Sequence, residues 1–442
     1  MVPGTSCLAL LKGNDTSMQD YDVVIVGAGI VGVSAAYFLS QRDLSVVVLD
    51  KGALAFEQSS RNWGWIRQNG RNLRELPLAV ASRELWQRLA DELEEDIGWR
   101  SGGNLHLGYD DAELATFERW RRAALERGLA TEVLSVDQVL NFVPGLKGDF
   151  VGAIYSPTDG QADPHRAVQA LARAAAAHGV SVREQCAVEA IQMNGGGVEG
   201  VLTREGLIRS ERVILAAGAW SSRLLWPLGI HLPQRKYRST VFATTPTAPL
   251  TSATLWAGPV ALRQALDGSW IVAGGGSILD LDLDSVRSGR AFRHADPDTA
   301  RRGRLRRHYG REILRDAKYL LTKSGFWERV RAEEPEPNYA SAFATLNGFR
   351  GLHDAFKNAG MQRIWAGNID YTPDAVPVID APEQTRGLVI STGFSGHGFA
   401  LGPVGGKLAS ELALDEAPSV DVSAFSVDRF ARGETHQDVL KF

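Results

Sequence analysis

The sequence predicts a mixed α/β protein in which a parallel sheet covered by helices is joined to an antiparallel sheet. A strand, a glycine-rich turn, a helix and a second strand follow one another from Asp22 to Asp50, an order typical of parallel sheets. Short alternating segments between His231 and Arg363, such as 239–242, 261–264 and 270–272, favour an antiparallel sheet. Another strand, Gly387 to Ser391, precedes a second glycine-rich turn near the C-terminus. The parallel sheet is therefore expected to combine distant segments.

Composition limits the class of protein. The 442 residues are enough for two or three domains, and 44% hydrophobic with 23% charged residues is ordinary for a globular chain. A formal charge of −4 argues against general nucleic-acid binding. Cys7 and Cys186 are too few for a disulfide framework, so we expect a reducing, cytoplasmic location. No apolar run reaches the length of a membrane span, and residues 1–17 have the character of a tail.

Three glycines follow the first predicted strand. Gly27 allows a tight turn, Gly29 lets a pyrophosphate approach the backbone, and Gly32 lets the following helix lie close to the sheet. The residues between them, Ala28, Ile30 and Val31, belong to the turn and to a helix N-terminus whose free N–H groups suit phosphates. The next strand ends in Asp50, followed by Lys51. A carboxylate there can accept hydrogen bonds from a ribose diol. The unit therefore predicts a Rossmann-like site for NAD or FAD.

Polar and aromatic residues come soon after this unit. Their small or polar members suit phosphate and ribitol contacts: Ser59, Ser60, Arg61 and Asn62. Trp63, Trp65 and Arg67 add two indoles and a cation. Adjacent tryptophans can also be core residues and an arginine can be a surface residue. Their density directly after a dinucleotide unit favours a cofactor or substrate wall.

Two later segments favour FAD over NAD. The strand within Arg212 to Ser221 runs into Ala217 and Gly218, where backbone could approach a cofactor. The segment TGFSGHGFALGPVGG is predicted to be a turn that opens a helix near Pro403. A flavin ring lies far from its adenine and needs such a separate site. A helix N-terminus aimed at its pyrimidine edge would stabilise the negative charge that develops on reduction. Apolar spacing also predicts helices over 77–98 and 113–129, and one from Pro164.

Four blocks, VGAGIVG with Asp50, SPTDGQADP, VILAAGAWS and TGFSGHGF, resemble the D-amino-acid oxidase superfamily, especially its glycine oxidase and sarcosine oxidase branch. The resemblance runs from Tyr21 to about Phe430. It implies an FAD-binding domain in three pieces, 18–104, 152–230 and 362–442, and a substrate domain of 105–151 and 231–361. It also implies oxidation of a C–N bond by hydride transfer to flavin N5, followed by hydrolysis of the imine.

The resemblance assigns roles to individual residues. Gly27, Gly29, Gly32 and Asp50 would hold the ADP half, and Val188 would lie near the adenine. Those near the flavin would be Ser60, Arg61, Gly218 and Trp220, with Gly396, His397, Gly398, Phe399 and Ala400 at its pyrimidine edge. We expect His397 to be a structural or cofactor contact, with proton transfer as the alternative. The nine histidines show no metal-ligand spacing, so we expect no metal.

Three positions depart from the family pattern. Gly367 stands where sarcosine oxidases carry the cysteine that tethers the flavin, so FAD is expected to bind non-covalently. Ala400 replaces their substrate-binding lysine, and Ile369 replaces the arginine of glycine oxidases. The substrate carboxylate is then held by Arg67 or Arg263, or the substrate is not a simple amino acid. The stretch that matches the oxygen-activating lysine, Gly258 to Gly274, contains Arg263 but no lysine, which favours a dehydrogenase using a quinone or dye over an oxidase using oxygen.

Two functional classes remain open at this point. The first is an FAD-dependent oxidoreductase acting on an amine or amino acid, with Arg67, Trp65, Arg263 and His397 as candidate catalytic residues. The second is a flavoprotein subunit or electron-transfer module without substrate chemistry of its own. The sheet-rich stretch from His231 to Arg363 is large enough for a substrate domain and favours the first class. A homo-oligomer or a partner subunit is compatible with either.

Overall fold

The computed structural model describes residues 19–274, 276–279, 282–294 and 334–434. The tail predicted for residues 1–17 lies outside these ranges. The strands, in chain order, are β1 Gln19–Asp20, β2 Val23–Val26, β3 Val46–Leu49, β4 Trp65–Ile66, β5 Arg100–Ser101, β6 Asn104–Gly108, β7 Glu132–Leu134, β8 Gly152–Ser156, β9 Gly160–Gln161, β10 Ser181–Arg183, β11 Val188–Asn194, β12 Gly197–Thr203, β13 Gly206–Arg209, β14 Val213–Leu215, β15 Arg235–Thr244, β16 Thr254–Ala257, β17 Val260–Gln264, β18 Trp270–Gly274, β19 Ile278–Leu279, β20 Met361–Tyr371, β21 Val378–Asp380 and β22 Leu388–Thr392. The α-helices are α1 Ile30–Leu39, α2 Gln58–Arg61, α3 Leu76–Glu92, α4 Asp111–Leu125, α5 Val136–Phe142, α6 Pro164–Ala177, α7 Ser221–Leu225, α8 Leu283–Arg287, α9 Tyr339–Gly351, α10 Gly398–Ala413 and α11 Arg429–Arg432.

A six-stranded sheet forms the first half of the architecture, in the order β10-β3-β2-β14-β22-β21. Its pairs are parallel except β21 with β22. The strands β2, β3, β14 and β22 are buried along their whole length and rich in Val, Ile and Leu, as expected for strands covered on both faces. The carboxyl ends of β2, β14 and β22 meet at one edge. Ligands of such sheets bind at this edge.

Helices α1 and α10 pack closely over this sheet because glycines line their contact. A Cβ at Gly402 would lie 2.5 Å from Ile30 Cγ1, and one at Gly406 would lie 2.5 Å from Ser34 Cβ. A Cβ at Gly32 would fall inside the contact distance of the Gly27 carbonyl oxygen. The glycines therefore determine how near the two helices lie to each other and to β2.

The predicted start of the C-terminal helix near Pro403 is wrong. Helix α10 begins at Gly398, and Pro403 lies inside it. A proline in a helix interior removes the N–H that would bond four residues back, which here leaves the Phe399 carbonyl without that bond. The Ser82 hydroxyl and the Trp86 indole donate to the next carbonyl, that of Ala400, at 2.6 and 2.9 Å. Packing against α3 thus stabilises a first turn that sequence rules place outside a helix.

The second large sheet has nine strands and runs β19-β15-β18-β17-β16-β6-β8-β7, with β20 also paired to β15. Its pairs are antiparallel except β16 with β6. The predicted fold class, a parallel sheet with helices plus an antiparallel sheet, is confirmed. Two small sheets, β1-β13-β12-β11 and β4-β9-β5, complete the topology.

The predicted helices are present with shifted ends. The first two run from Leu76 to Glu92 and from Asp111 to Leu125, and the third begins at Pro164 as expected. The domain division stays a prediction. Because β8 and β20 pair in the antiparallel sheet, we propose moving its boundaries to the ends of these strands, Ser156 and Tyr371. Among the described residues, no helix combines the length and apolar character needed to cross a bilayer.

Candidate active site

A cavity with about 1350 Å³ of empty space, part of it open to solvent, lies at the carboxyl edge of the parallel sheet and against β15 and β20. The predicted cofactor residues that line it are Gly27, Gly29, Ile30, Val31, Asp50, Lys51, Ser59, Arg61, Asn62, Val188, Ala217, Gly218, Trp220, Gly367, Gly396, Gly398 and Phe399. The predicted cofactor residues that do not line it are Ala28, Gly32, Ser60, His397 and Ala400. The structure thus brings three of the four predicted blocks to one cavity, while the block SPTDGQADP does not line it.

The N-terminus of α1 opens into the cavity beside Gly29. A Cβ at Gly29 would lie 2.9 Å from the Ser59 hydroxyl oxygen, which accepts a hydrogen bond of 2.8 Å from the Ile30 N–H. Unsatisfied N–H groups and the helix dipole make such an end an anion site. A hydroxyl and a bare backbone therefore lie where a pyrophosphate would bind.

Asp50 lies at the end of β3 and is largely buried. Its two carboxylate oxygens accept hydrogen bonds from the backbone N–H groups of Ala28 and Gly52, both at 2.7 Å. Each oxygen keeps a further lone pair that a ribose hydroxyl could use. Burial raises the pKa of Asp50, and the two backbone donors oppose that rise. Beside it, the Lys51 ammonium pairs with Glu57 at 2.9 Å and lies 3.6 Å from the centre of the Trp220 ring.

The N-terminus of α10 reaches the same cavity through Gly396, Gly398 and Phe399. His397 is the N-cap residue, and its ring turns to Glu75, with Nδ1 at 3.0 Å from Oε1 and 2.9 Å from Oε2. Burial, with the positive charge of Arg71, lowers the pKa of His397 to about 4. The neutral imidazole donates its Nδ1 hydrogen to Glu75. This contact joins the first turns of α3 and α10.

Strands β15 and β20 cover the cavity with residues that the sequence analysis did not single out, namely Ser239, Val241 and Asp370, beside Ile369 and Gly367. Asp370 Oδ2 accepts hydrogen bonds from the Gly393 N–H at 3.0 Å and from the Gln234 amide at 3.3 Å. Burial raises the pKa of Asp370 to about 6. In the sequence, the signal that could have identified Asp370 is its position as an acidic residue in the mainly apolar segment WAGNID.

An aromatic cluster adjoins the cavity. The rings of Trp63, Trp65 and Trp256 have centroids 5.1 to 5.8 Å apart, and Trp63 lines the cavity itself. Trp256 comes from β16 and carries no local motif, so sequence analysis missed it. The Arg67 guanidinium carbon lies 5.9 Å from the Trp256 ring centre. The predicted wall of indoles and a cation is therefore assembled from two distant segments.

The two candidate carboxylate anchors have different surroundings. Arg67 is half-buried, and burial, together with nearby Arg71, lowers the pKa of Arg67 to about 9, so it stays charged at neutral pH. Arg263 is 6% exposed; its Nε donates to the Trp63 carbonyl and its Nη1 lies 3.3 Å from the Gln161 amide oxygen. Arg67 does not line the cavity, and neither does Arg263. The hydrogen bonds of Arg263 attach it to the wall formed by the tryptophans. Arg67 is therefore the more available cation for a substrate carboxylate.

Comparisons with known proteins agree with this geometry. A family model described as DAO, FAD dependent oxidoreductase, matches residues 22–412. The chain belongs to the DAO family. It is 26% identical over 420 residues to N-methyl-L-tryptophan oxidase of Yersinia pestis (strain Pestoides F), covering 93% of this chain and 100% of the relative. The predicted superfamily is confirmed.

Solved structures of this family share the fold. L-Amino acid deaminase from Proteus myxofaciens, in complex with anthranilate, superposes with a TM-score of 0.87 at 25% identity, covering 93% of this chain and 94% of the other. L-Proline dehydrogenase from P. horikoshii superposes with a TM-score of 0.77 at 26% identity, covering 94% and 99%. This DAO-family protein is an FAD-dependent oxidoreductase.

The residues present fit FAD. The bare backbone at Gly29, the carboxylate of Asp50 and the first turn of α10 would hold the pyrophosphate, the ribose and the pyrimidine edge respectively. A Cβ at Gly367 would lie 3.0 Å from Arg61 Cβ, so this position faces Arg61. Cys186, the cysteine within the described ranges, is buried and does not line the cavity. The described residues contain no group of three or more His, Cys, Asp or Glu side chains that could hold a metal ion.

Non-covalent binding predicts that acid or heat releases the cofactor. The purified protein should be yellow, and acid precipitation should leave the yellow FAD in the supernatant because the cavity lining offers no thiol. Gly29→Leu should abolish FAD retention, since a side chain would occupy the pyrophosphate position. Gly351→Leu, at a helix end where an added Cβ would meet no atom within 4 Å, is the control and should retain FAD. Flavin fluorescence that stays with the denatured chain on a gel would contradict non-covalent binding.

The raised pKa of Asp370 predicts a pH-dependent stability difference. Its pKa in the folded protein is about 6, above the ordinary value near 4, so the folded state binds the proton more tightly than the unfolded state does. The free energy of unfolding that this group contributes is therefore present below pH 4 and is lost as the pH rises from 4 to 6. The full shift corresponds to about 3 kcal/mol. Asp370→Asn should therefore gain about 2 to 3 kcal/mol relative to wild type between pH 4 and pH 7.5, measured by urea unfolding. A difference that stays constant over that interval would show that Asp370 has an ordinary pKa.

Proposed function

We propose that this protein oxidises the C–N bond of an amino acid or a related carboxylate-bearing amine, and that it is a dehydrogenase. One observation carries the proposal: the Arg67 cation is half-buried and lies 5.9 Å from the ring centre of Trp256, which packs against Trp63 in the lining of the cavity that fits FAD. An arginine fork matches a carboxylate bidentately. The names of the relatives, an N-methylated amino-acid oxidase, an amino-acid deaminase and a proline dehydrogenase, support the same class of substrate.

FAD, when bound, supplies a hydride acceptor at flavin N5. The chain's own residues position the substrate against it. Arg67 holds the carboxylate, and the indoles of Trp63, Trp65 and Trp256 displace water from the reacting carbon. The N-terminus of α10 supplies positive potential at the end of the cavity where negative charge develops. Loss of a hydride from carbon and of a proton from nitrogen gives an imine, which water then hydrolyses.

The alternative is a flavoprotein subunit that only transfers electrons. Such a module needs no anchor for a small anion beside its cofactor. A desolvated cation next to an indole wall costs stability and is explained by substrate binding. The arrangement of Arg67 therefore favours an enzyme with its own substrate.

The residues over the cavity favour a dehydrogenase. The described lining of β15 and β20 consists of Ser239, Val241, Gly367, Ile369 and Asp370, none of them cationic. Arg263, the cation in the predicted oxygen-activating stretch, is bonded to the Trp63 carbonyl. A preorganised positive charge would stabilise developing superoxide, and the described residues of these strands that line the cavity do not provide one. A cytoplasmic location and association into an oligomer or with a partner subunit complete the proposal.

The substrate anchor is tested by Arg67→Lys. An ammonium cannot reproduce the bidentate fork, so kcat/KM for the carboxylate substrate should fall by about tenfold or more while FAD content stays unchanged. Steady-state kinetics with flavin absorbance as the loading control would measure this. Unchanged kinetics would move the anchor to Arg263 or remove the carboxylate requirement.

The acceptor is tested by separating the two half-reactions. Candidate amino acids should bleach the flavin absorbance under anaerobic conditions, which an electron-transfer module would not show. After mixing with aerated buffer, absorbance should return slowly, and an artificial dye or a quinone should restore it much faster. Rapid reoxidation with stoichiometric hydrogen peroxide would identify an oxidase.

A further inference from the structure

Arg71 lies four residues after Arg67, in the segment that leads into α3, and its side chain is 4% exposed. Its Nε donates a hydrogen bond of 3.2 Å to the Arg67 carbonyl, while its Nη1 is buried without a hydrogen-bond partner among the described residues. No carboxylate oxygen in the described part of the chain lies within 4.0 Å of either guanidinium. A buried cation without a paired anion is costly unless a ligand supplies one.

Two buried carboxylates balance these cations from a longer distance. Glu75 is fully buried and is engaged by the His397 ring. Asp159, also fully buried, accepts hydrogen bonds from the Gln68 and Asn69 N–H groups at 2.8 and 3.1 Å, directly after Arg67. Burial raises the pKa of Asp159 to about 6, which leaves it ionised at neutral pH. Both carboxylates attract both guanidiniums, so the four charges sum to zero before any substrate binds.

We propose that Arg67 and Arg71 form one anion site for a single carboxylate, and that the substrate is a zwitterionic amino acid with an uncharged side chain. This inference rests on the proposed function and assigns Arg71 to the same site. Hydrogen bonds from a guanidinium to a carboxylate are among the strong ones, and two adjacent guanidiniums can share one anion. From the sequence, the candidate anchors are Arg67 and Arg263, and the role of Arg71 was not predicted.

The count of charges decides between one and two carboxylates. A zwitterion carries no net charge and keeps the site neutral. A dicarboxylic amino acid would add an uncompensated negative charge in a desolvated place, because the other nearby cations are already engaged. Arg61 pairs with Glu334 at 3.0 Å and donates to the Phe56 carbonyl at 2.7 Å, and Arg263 donates to the Trp63 carbonyl. The other residues proposed to contact the substrate are the three indoles, which suit an apolar side chain on the substrate.

The test is ligand binding to the FAD-loaded protein, followed by the change in flavin absorbance, which needs no turnover. Benzoate is the monocarboxylate probe, benzamide is its uncharged counterpart, and phthalate adds a second carboxylate. Arg71→Met removes the charge and keeps an apolar stem, Arg71→Lys restores a charge, and Arg74→Gln, at an exposed neighbouring position, is the control. FAD content of each variant verifies folding.

Wild type should bind benzoate at least about tenfold more tightly than benzamide or phthalate. Arg71→Met should weaken benzoate by about 10- to 100-fold and leave benzamide unchanged, with Arg71→Lys intermediate and Arg74→Gln like wild type. If Arg71→Met loses FAD, Arg71→Lys must still weaken benzoate for the proposal to stand. Wild-type benzoate affinity in the Arg71 variants, or phthalate binding as tight as benzoate, overturns it. Equal binding of benzoate and benzamide by wild type would instead contradict the carboxylate anchor of the proposed function.

Discussion

The close packing of α1 against α10 is the constraint on which the site depends. Glycines at Gly402 and Gly406 let the second helix lie directly on the first, with no room for a Cβ beside Ile30 or Ser34. Because both helices begin at the carboxyl edge of the parallel sheet, their contact directs two positive helix ends into one cavity. One end suits a pyrophosphate and the other the flavin. Two segments far apart in sequence thus form a single dinucleotide site.

A second set of contacts attaches the substrate wall to this site. Strand β4 carries Trp65 and pairs with β9, and Asp159, just before β9, binds the backbone that follows Arg67. From the antiparallel sheet, Arg263 donates to the Trp63 carbonyl, and a Cβ at Gly64 would lie 2.8 Å from its Nε. The motifs EQSSRNWGW and SPTDGQADP, which look independent in sequence, therefore form one structural unit. The backbone around Arg67 is therefore bound by Asp159 after it and by Arg263 before it.

Sequence reasoning found what local patterns encode. The spacing of Gly27, Gly29 and Gly32 and the acid at Asp50 predicted a dinucleotide unit, because each residue acts on its own neighbours. It missed Trp256 and Asp370, whose contacts come from segments that meet only after folding, and Arg71, whose buried Nη1 without a partner among the described residues is visible only in the folded chain. The start of α10 before Pro403 was not predicted, since Ser82 and Trp86, which bind its first turn, belong to another helix. Arg263 was selected as a free charge, yet its hydrogen bonds depend on Trp63, two hundred residues earlier.

The Glu75–His397 contact explains how the two parts of the site stay in register. Glu75 is the N-cap residue of α3, His397 is the N-cap residue of α10, and Arg71 lies in the segment that leads into α3. Ser82 and Trp86, further along α3, bind the Ala400 carbonyl of α10. These contacts fix the first two turns of the two helices to each other. In the proposed function, α10 presents its N-terminus to the cofactor and the segment before α3 presents Arg67 and Arg71 to the substrate, so the contacts between the two helices help to set the distance between hydride acceptor and carboxylate anchor.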